Sequence, residues 1–90
     1  MSSHDATLEF EYGTASRARI VAESVRREIG EIDDDRSQTT IERDGQQLFV
    51  HVDAADVVAL RAALNTWFSL VSVAEQSVDV ATATLEDGDQ

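Results

Sequence analysis

The chain has 90 residues, a length that suits one domain rather than two. Its 18 acidic residues outnumber its 7 basic ones, all of them Arg, and leave a formal net charge of −11. Cys and Pro are absent, which excludes disulfides, thiolate metal sites and thiol catalysis.

The N-terminal residues predict a half-buried strand. Apolar side chains alternate with polar ones at the period of a strand that has one buried face. The apolar positions are Ala6, Leu8, Phe10 and Tyr12. Gly13 ends the alternation, and the side chain of Thr14 can cap the helix that follows.

A first helix is predicted over residues 15–29, because its apolar residues recur at steps of three or four. Gly30 suits the position just beyond the end of that helix. The next six residues, Glu31 to Arg36, form a charged loop with three consecutive Asp residues. Since the loop lacks the Gly and the terminal Glu of a calcium-binding loop, we interpret it as solvated.

A hairpin of two strands is predicted next, with Asp44-Gly45 as its two-residue turn, because both residue types can adopt positive φ. Counting outward from this turn pairs Ile41 with Leu48 and Thr39 with Val50. The apolar faces of the two strands then coincide. Phe49 and His51 lie on the opposite, outward face of the strand over residues 47–52.

A second, longer helix is predicted from an N-cap at Asp53 to about Val78. Its apolar seam consists of Val57, Leu60, Leu64, Trp67, Val71, Ala74 and Val78. Neighbouring apolar residues widen this seam to about half the circumference, which exceeds the stripe of about 100° that packs on one sheet. Three short strands also leave part of a helix of about 37 Å uncovered. The helix therefore predicts a partner chain, the alternative being that the first helix and the tail cover the excess.

These elements predict an α+β domain over residues 1–78 and a flexible, acidic tail over residues 79–90, with a weak signal for a short strand at 80–84. The expected fold is β-α-β-β-α, a three-stranded antiparallel sheet covered on one face by two helices. In a ferredoxin-like arrangement strand three lies beside strand one, and the other edge of strand one stays open. With no Pro to block this edge, we expect a homodimer with a continuous sheet.

The acidity and the absence of Lys indicate adaptation to a salty cytoplasm. Self-repulsion weakens a compact, highly charged chain at low salt, whereas in 1 M salt the Debye length is only about 3 Å. Charged residues interrupt the longest apolar runs, so no membrane span is expected. Residues 1–5 lack the basic and apolar segments of a secretory signal, and we expect a cytoplasmic protein.

No residue pattern predicts catalysis, a metal site or a cofactor. His4 lies in the terminus and His51 on the outer sheet face, without a recognisable catalytic partner. Glycine patterns that bind phosphate or dinucleotides are absent. Arg19 and Arg26 lie on nearly the same side of the first helix. They either contact phosphate, as in tRNA, or pair with Glu23 and Glu28 along the helix.

The second helix carries the residues of a family resemblance. Residues 59–67 read Ala-Leu-Arg-Ala-Ala-Leu-Asn-Thr-Trp, and Val73-Ala74-Glu75 follow. Together with residues 6–10, residues 22–25 and the order of the elements, this stretch resembles the small Pcc-type subunit of the archaeal KEOPS complex. The resemblance extends from about residue 5 to residue 76. The acidity and the missing Lys resemble a haloarchaeal member.

The resemblance implies a non-enzymatic subunit that dimerises through its sheet. Its helices are expected to pack on the catalytic subunit, which installs threonylcarbamoyl on an adenosine next to the tRNA anticodon. The dimer would join two complexes and help to engage tRNA. A paralogue that pairs with this subunit has a similar fold, and both readings stay open.

The alternatives are a stand-alone RNA-binding or protein-interaction module and a small enzyme with a site between subunits. A KH-type module would need a Gly-x-x-Gly clamp, which is absent.

We divide the apolar arc of the second helix between the core and a partner. The bulky residues Leu60, Leu64, Trp67 and Val71 are assigned to the core. A neighbouring strip of mostly small residues, which another helix can approach closely, is assigned to the catalytic subunit. The predicted partner strip comprises Ile20, Ala59, Ala63, Thr66 and Leu70.

Overall fold

The computed structural model describes residues 4–88, without the side chains of residues 79–88. The order of elements confirms the predicted α+β class and adds one short helix. In chain order the elements are β1 (His4–Glu11), α1 (Ala15–Arg26), α2 (Ile29–Ile32), β2 (Ser37–Asp44), β3 (Gln47–Ala54) and α3 (Val57–Gly88).

The sheet has three antiparallel strands in the order β1-β3-β2. Strand β3 is therefore central and lies beside β1, as the sequence predicts. The outer edges of β1 and β2 face away from β3 and pair with no other strand in the described part of the chain. The helices cover one face of the sheet, and the other face is open to solvent.

The hairpin turn between β2 and β3 lies one residue later than predicted. Gly45 and Gln46 connect the two strands, and only Gly45 has positive φ, at 60°. A single positive φ at the first central residue suits a type II′ turn, whereas the predicted turn needed positive φ at two residues. The observed partners are Val50 for Ile41 and Val52 for Thr39, in place of the predicted Leu48 and Val50. Because this shift spans two residues, every side chain keeps its predicted face.

The first helix begins as predicted but ends earlier. The Thr14 Oγ1 accepts a hydrogen bond from the Arg17 amide at 3.0 Å, which confirms the cap. Helix α1 ends at Arg26 rather than at residue 29, and Gly30 lies inside α2 instead of beyond a helix end. The turn between the two helices redirects the chain so that Ile29 and Ile32 both pack against the core.

Both predicted ends of the second long helix are wrong. Asp53 belongs to β3, and the Oδ1 of Asp56 accepts a hydrogen bond from the Ala59 amide at 2.7 Å in the role of the cap. Helix α3 continues to Gly88, so the strand predicted at 80–84 is helical instead. The sequence from Val57 to residue 87 contains neither Gly nor Pro, the two residues that most often end a helix. The division of the chain at residue 78 stays a prediction.

The core lies between the covered face of the sheet and the two longer helices. The inward residues of β3 are fully buried, as predicted, and so are those of α1 that face the sheet. Trp67 and Val71 of α3 are fully buried, while Leu60 and Leu64 are half-buried at its border. This arrangement holds α3 across β3 and β1, and α1 across β2 and β3.

Candidate partner-binding surfaces

Helix α3 has more apolar surface than its own chain covers. By length and composition alone, the stretch Val57–Val78 is apolar enough to cross a membrane, although the sequence analysis expected no membrane span. Its largest side chain, however, lies in the core of the domain. Only 22% of its most apolar window is buried. The large exposed apolar residues are Val57, Val58, Phe68 and Val73 on α3, and Ile20 on α1. The predicted apolar surplus is therefore present on the single chain.

One part of this surplus lies beside the open edge of β1. The rings of Phe10 and Phe68 are 6.2 Å apart between centroids, and Phe68 is 59% exposed. Leu64 lies one helical turn before Phe68, and Leu8 lies two residues before Phe10 on the same face of β1. We name these four residues, Leu8, Phe10, Leu64 and Phe68, the β1-edge patch. These apolar side chains lie next to the outer edge of β1, where the main-chain N–H and C=O groups have no partner strand in the described part of the chain.

A partly buried hydrogen bond joins α3 to the residue that follows β1. Tyr12 follows the last residue of β1. Its hydroxyl donates a hydrogen bond to the Glu75 Oε2 at 2.6 Å. Burial raises the pKa of Tyr12 well above its ordinary value, and the hydrogen bond and negative charge of Glu75 raise it further. The Arg17 guanidinium, 5.9 Å from the ring centroid, acts in the opposite direction. The hydrogen bond thus links α3 to the residue after β1, at one end of the β1-edge patch.

The predicted partner strip does not form one continuous surface. Ala63 is only 6% exposed and packs in the core, so it adds little accessible surface to this strip in the single chain. Thr66 is exposed, and it borders a groove against the α2–β2 loop together with Ala59 and Ala63. Ile20 instead borders a separate groove with Val78. A partner that binds at Thr66 therefore does not have to reach Ile20.

Of the strip residues, Ala59 and Leu70 are half-buried, and Ile20 is 42% exposed. The small side chain of Ala59 leaves the groove beside Thr66 open. Whether any of these residues contacts a partner stays a prediction.

The two candidate phosphate-binding Arg residues have different partners within the chain. The Arg19 Nη1 lies 3.7 Å from the Glu23 Oε1, which is the ion pair considered as the alternative. The Arg26 Nη2 donates to the Ile41 carbonyl oxygen at 3.4 Å and so reaches towards β2. A direct contact with tRNA stays a prediction for both residues.

The acidic loop before β2 is exposed over most of its length, but two of its Asp side chains also hold the main chain in place. The Asp33 carboxylate accepts hydrogen bonds from the Thr39 amide and hydroxyl at 2.8 and 2.6 Å. The Asp34 Oδ1 accepts from two main-chain amides, those of Arg36 and Ser37. Asp34 is exposed to solvent, as interpreted, whereas Asp33 is half-buried and is not simply solvated.

Beside this loop, Arg36 forms an ion pair with Asp56, the residue that caps α3. The hydrogen bond from the Ala59 amide, followed by the Arg36 charge, lowers the pKa of Asp56. The loop and the start of α3 are therefore joined electrostatically.

The open face of the sheet holds a polar cluster that sequence reasoning missed. The His51 Nδ1 is 2.7 Å from the Thr7 Oγ1, and its Nε2 faces the carboxylates of Asp5 and Asp53. The sequence places His51 on this face and predicts β1 beside β3, but it does not show the register that brings Thr7 and Asp5 next to His51. The antiparallel β1–β3 pairing supplies that information, and it also places His4 at the start of β1 instead of in a free terminus.

Three comparisons with known proteins bear on these surfaces. A family model described as "Transcription factor Pcc1" matches residues 5–79. One solved structure that the chain resembles is described as "Crystal structure of binary complex Gon7-Pcc1". The match has a TM-score of 0.81 and 16% sequence identity, and it covers 90% of this chain and 99% of that one. At this identity the likeness shows the fold. Curated protein sequences gave no match.

Proposed function

Because this chain belongs to the Pcc1 family, we propose that it is a non-catalytic dimerisation and scaffold subunit of the KEOPS complex. In this role it supports threonylcarbamoyl-adenosine modification of tRNA by binding the catalytic subunit and helping to engage tRNA. Its family, and the likeness of its fold to a chain of a binary complex, support this proposal.

The observation that carries the proposal is the apolar surface that α3 exposes. Contiguous exposed apolar surface on a small soluble domain is typical of a protein–protein contact. Only 22% of the most apolar window of α3 is buried, although the core of the chain is complete around Trp67. A scaffold subunit needs such a surface, whereas an enzyme needs a cleft with converging polar groups.

The β1-edge patch supports the dimerisation half of the proposal. Addition of a second β1 to this edge would satisfy its unpaired main-chain groups and extend the sheet across the dimer. The exposed Phe68 would be covered at the same time, and full burial of such a side chain contributes about 1.5–3 kcal/mol.

The groove beside Thr66 supports the second half, the contact with the catalytic subunit. Ala59, Ala62 and Ala63 line this groove with small side chains, and a helix can approach such a surface closely. Because the groove lies on the far side of α3 from Phe68, the dimer contact and the catalytic-subunit contact do not compete. One chain can then bind a second copy and a catalytic subunit together.

A pull-down from the native high-salt lysate tests the proposed function. Wild-type chain is expected to recover a kinase-like subunit and a nucleotide-binding subunit. Thr66→Glu is expected to lose the catalytic subunit, because the new carboxylate would be buried unpaired at the contact. Asn65→Glu is the matched control, since its side chain points about 100° further around the helix.

Recovery of RNA alone by the wild-type chain would contradict the scaffold assignment and favour the stand-alone RNA-binding alternative. Equal recovery of the catalytic subunit by both variants would contradict the placement of the contact at Thr66.

A further inference from the structure

We propose that the open face of the sheet binds one divalent transition-metal ion of the Zn²⁺ class. The ligands are the Nε2 of His51 and one carboxylate oxygen each of Asp5 and Asp53, which lie close enough together to hold one ion. We name these three residues the sheet-face cluster. The proposal is independent of the scaffold function, because the cluster lies on the face of the sheet opposite both helices.

The two distances from the imidazole to the carboxylates match those around a tetrahedral ion. The His51 Nε2 lies 3.4 Å from the Asp5 Oδ2 and 3.5 Å from the Asp53 Oδ1. These separations are long for hydrogen bonds that hold the ring in place. Bonds of about 2.0–2.2 Å to a tetrahedral Zn²⁺ separate two ligand atoms by about 3.3–3.6 Å. An ion therefore fits between the imidazole and either carboxylate with little movement of the side chains.

Thr7 orients the imidazole for this role. Its Oγ1 lies 2.7 Å from the His51 Nδ1, and Thr7 is the direct cross-strand partner of His51. When one ring nitrogen of a histidine binds a metal ion, the second ring nitrogen usually makes a hydrogen bond. This hydrogen bond fixes the orientation of the ring and leaves the first nitrogen free for the ion. Here the other nitrogen is the one that faces both carboxylates.

The charges on this face favour a bound cation. Asp5 and Asp53 are direct partners across β1 and β3, and like charges in that position destabilise a sheet. Among the described strand residues on this face, the acidic ones are Asp5, Glu9, Glu11, Glu42, Asp44 and Asp53. None of the described strand positions on the same face is Lys or Arg, and the one residue that can be basic is His51.

The ligand types select the class of ion. Ca²⁺ and Mg²⁺ prefer sites made of oxygen alone, with six or more ligands for Ca²⁺. One imidazole with two carboxylates suits Zn²⁺, Co²⁺ and related ions, and a water molecule would complete the tetrahedron. The Asp5 side chain is 62% exposed and that of His51 36%, so an ion has an open path to the cluster.

Metal titration of the chelator-treated protein tests this site. Calorimetry with Zn²⁺ and visible absorption with Co²⁺ are expected to show one ion per chain, with the absorption band of a four-coordinate Co²⁺ site. His51→Gln is expected to weaken Zn²⁺ binding at least tenfold. His4→Gln is the matched control, since it removes the other histidine of the chain, and it is expected to bind Zn²⁺ as the wild type does.

A second variant tests the orienting role of Thr7. Thr7→Val is expected to weaken Zn²⁺ binding by about tenfold, at the lower end of the effects seen for residues that orient metal ligands. Far-UV circular dichroism should show that all variants are folded, because Thr7 and His51 lie on the open face and His4 lies at the very start of β1. Wild-type and His51→Gln proteins of equal Zn²⁺ affinity would overturn the proposal. Ca²⁺ binding as tight as Zn²⁺ binding would also overturn it, because it would indicate carboxylates alone.

Discussion

Trp67 connects three elements of the fold through one chain of hydrogen bonds. Its Nε1 donates to the Thr39 Oγ1 at 2.9 Å, and the same hydroxyl donates to the Asp33 Oδ1 at 2.6 Å. The side chain of Trp67 is fully buried. A polar N–H group in such a place must find an acceptor, because an unpaired one is costly. Thr39 therefore links α3, β2 and the acidic loop.

Thr39→Val is expected to lower the free energy of unfolding by about 1–3 kcal/mol, since it leaves the Trp67 N–H without its acceptor. Urea denaturation followed by Trp fluorescence measures this loss. Thr40→Val is the matched control, because Thr40 is exposed on the open face, and its effect should stay within about 0.5 kcal/mol. Equal effects of the two substitutions would contradict the proposed role of Thr39.

Because of Tyr12, the stability of the fold is expected to depend on pH in the alkaline range. Its pKa is raised above the ordinary value of 10.0 by burial and by Glu75, so the folded chain favours the protonated phenol. The stabilisation is fully present below about pH 10 and is lost as the pH rises further, because the unfolded chain then loses its phenolic proton first. The urea midpoint of the wild type should fall above that pH.

Tyr12→Phe is the control for this dependence, since Tyr12 is the single Tyr of the chain. The variant should be less stable at neutral pH and should lose less further stability above about pH 10. Parallel losses in the two proteins would show that another group causes the alkaline transition.

At the scale of elements, α3 shows how one helix serves the core and exposes surface for other chains. Trp67 and Val71 face the sheet, whereas Phe68 and Thr66 lie on opposite sides of them. The sequence predicts this division in outline, because the apolar arc is too wide for one sheet. It does not predict that Ala63 is buried, since that depends on how closely the helices and the α2–β2 loop approach.

Ala63→Glu is therefore expected to destabilise the chain itself, by more than about 2 kcal/mol, because a carboxylate would enter the core. Thr66→Glu, on the exposed side of the same groove, should leave the melting temperature within a few degrees of the wild type. Thermal melts by circular dichroism compare the two. An unchanged melt for Ala63→Glu would place this residue outside the core.

Several features of the elements follow from local sequence, and others require the assembled fold. The alternation in β2 and β3 determines which side chains face inward, and this prediction is confirmed by the buried Leu48 and Val50. The strand register depends on the turn type, which the Asp44-Gly45 pair alone does not fix. The sheet-face cluster joins Asp5 to residues more than forty positions away, so only strand pairing reveals it.

At the scale of the whole molecule, the most conspicuous property is the formal net charge of −11. We propose that the acidity is an adaptation to high salt, where the Debye length falls to about 3 Å in 1 M. Dilution into low-salt buffer is then expected to reduce helicity or dissociate the dimer, because the carboxylates repel one another. Far-UV circular dichroism and light scattering across a salt titration measure both. Unchanged helicity and mass at low salt would indicate another cause for the acidity.

The central claim is that the chain is a scaffold that dimerises through the β1-edge patch. Its most direct test is the molar mass by light scattering after size exclusion in molar salt, at tens of micromolar protein. The account predicts twice the chain mass of 9.9 kDa for the wild type and for the control variant Val58→Glu. Val58 is 75% exposed and lies away from the β1 edge. It predicts 9.9 kDa for Phe68→Glu, because the new charge would face the paired edge. A wild-type mass of 9.9 kDa, or a dimeric Phe68→Glu, would contradict it.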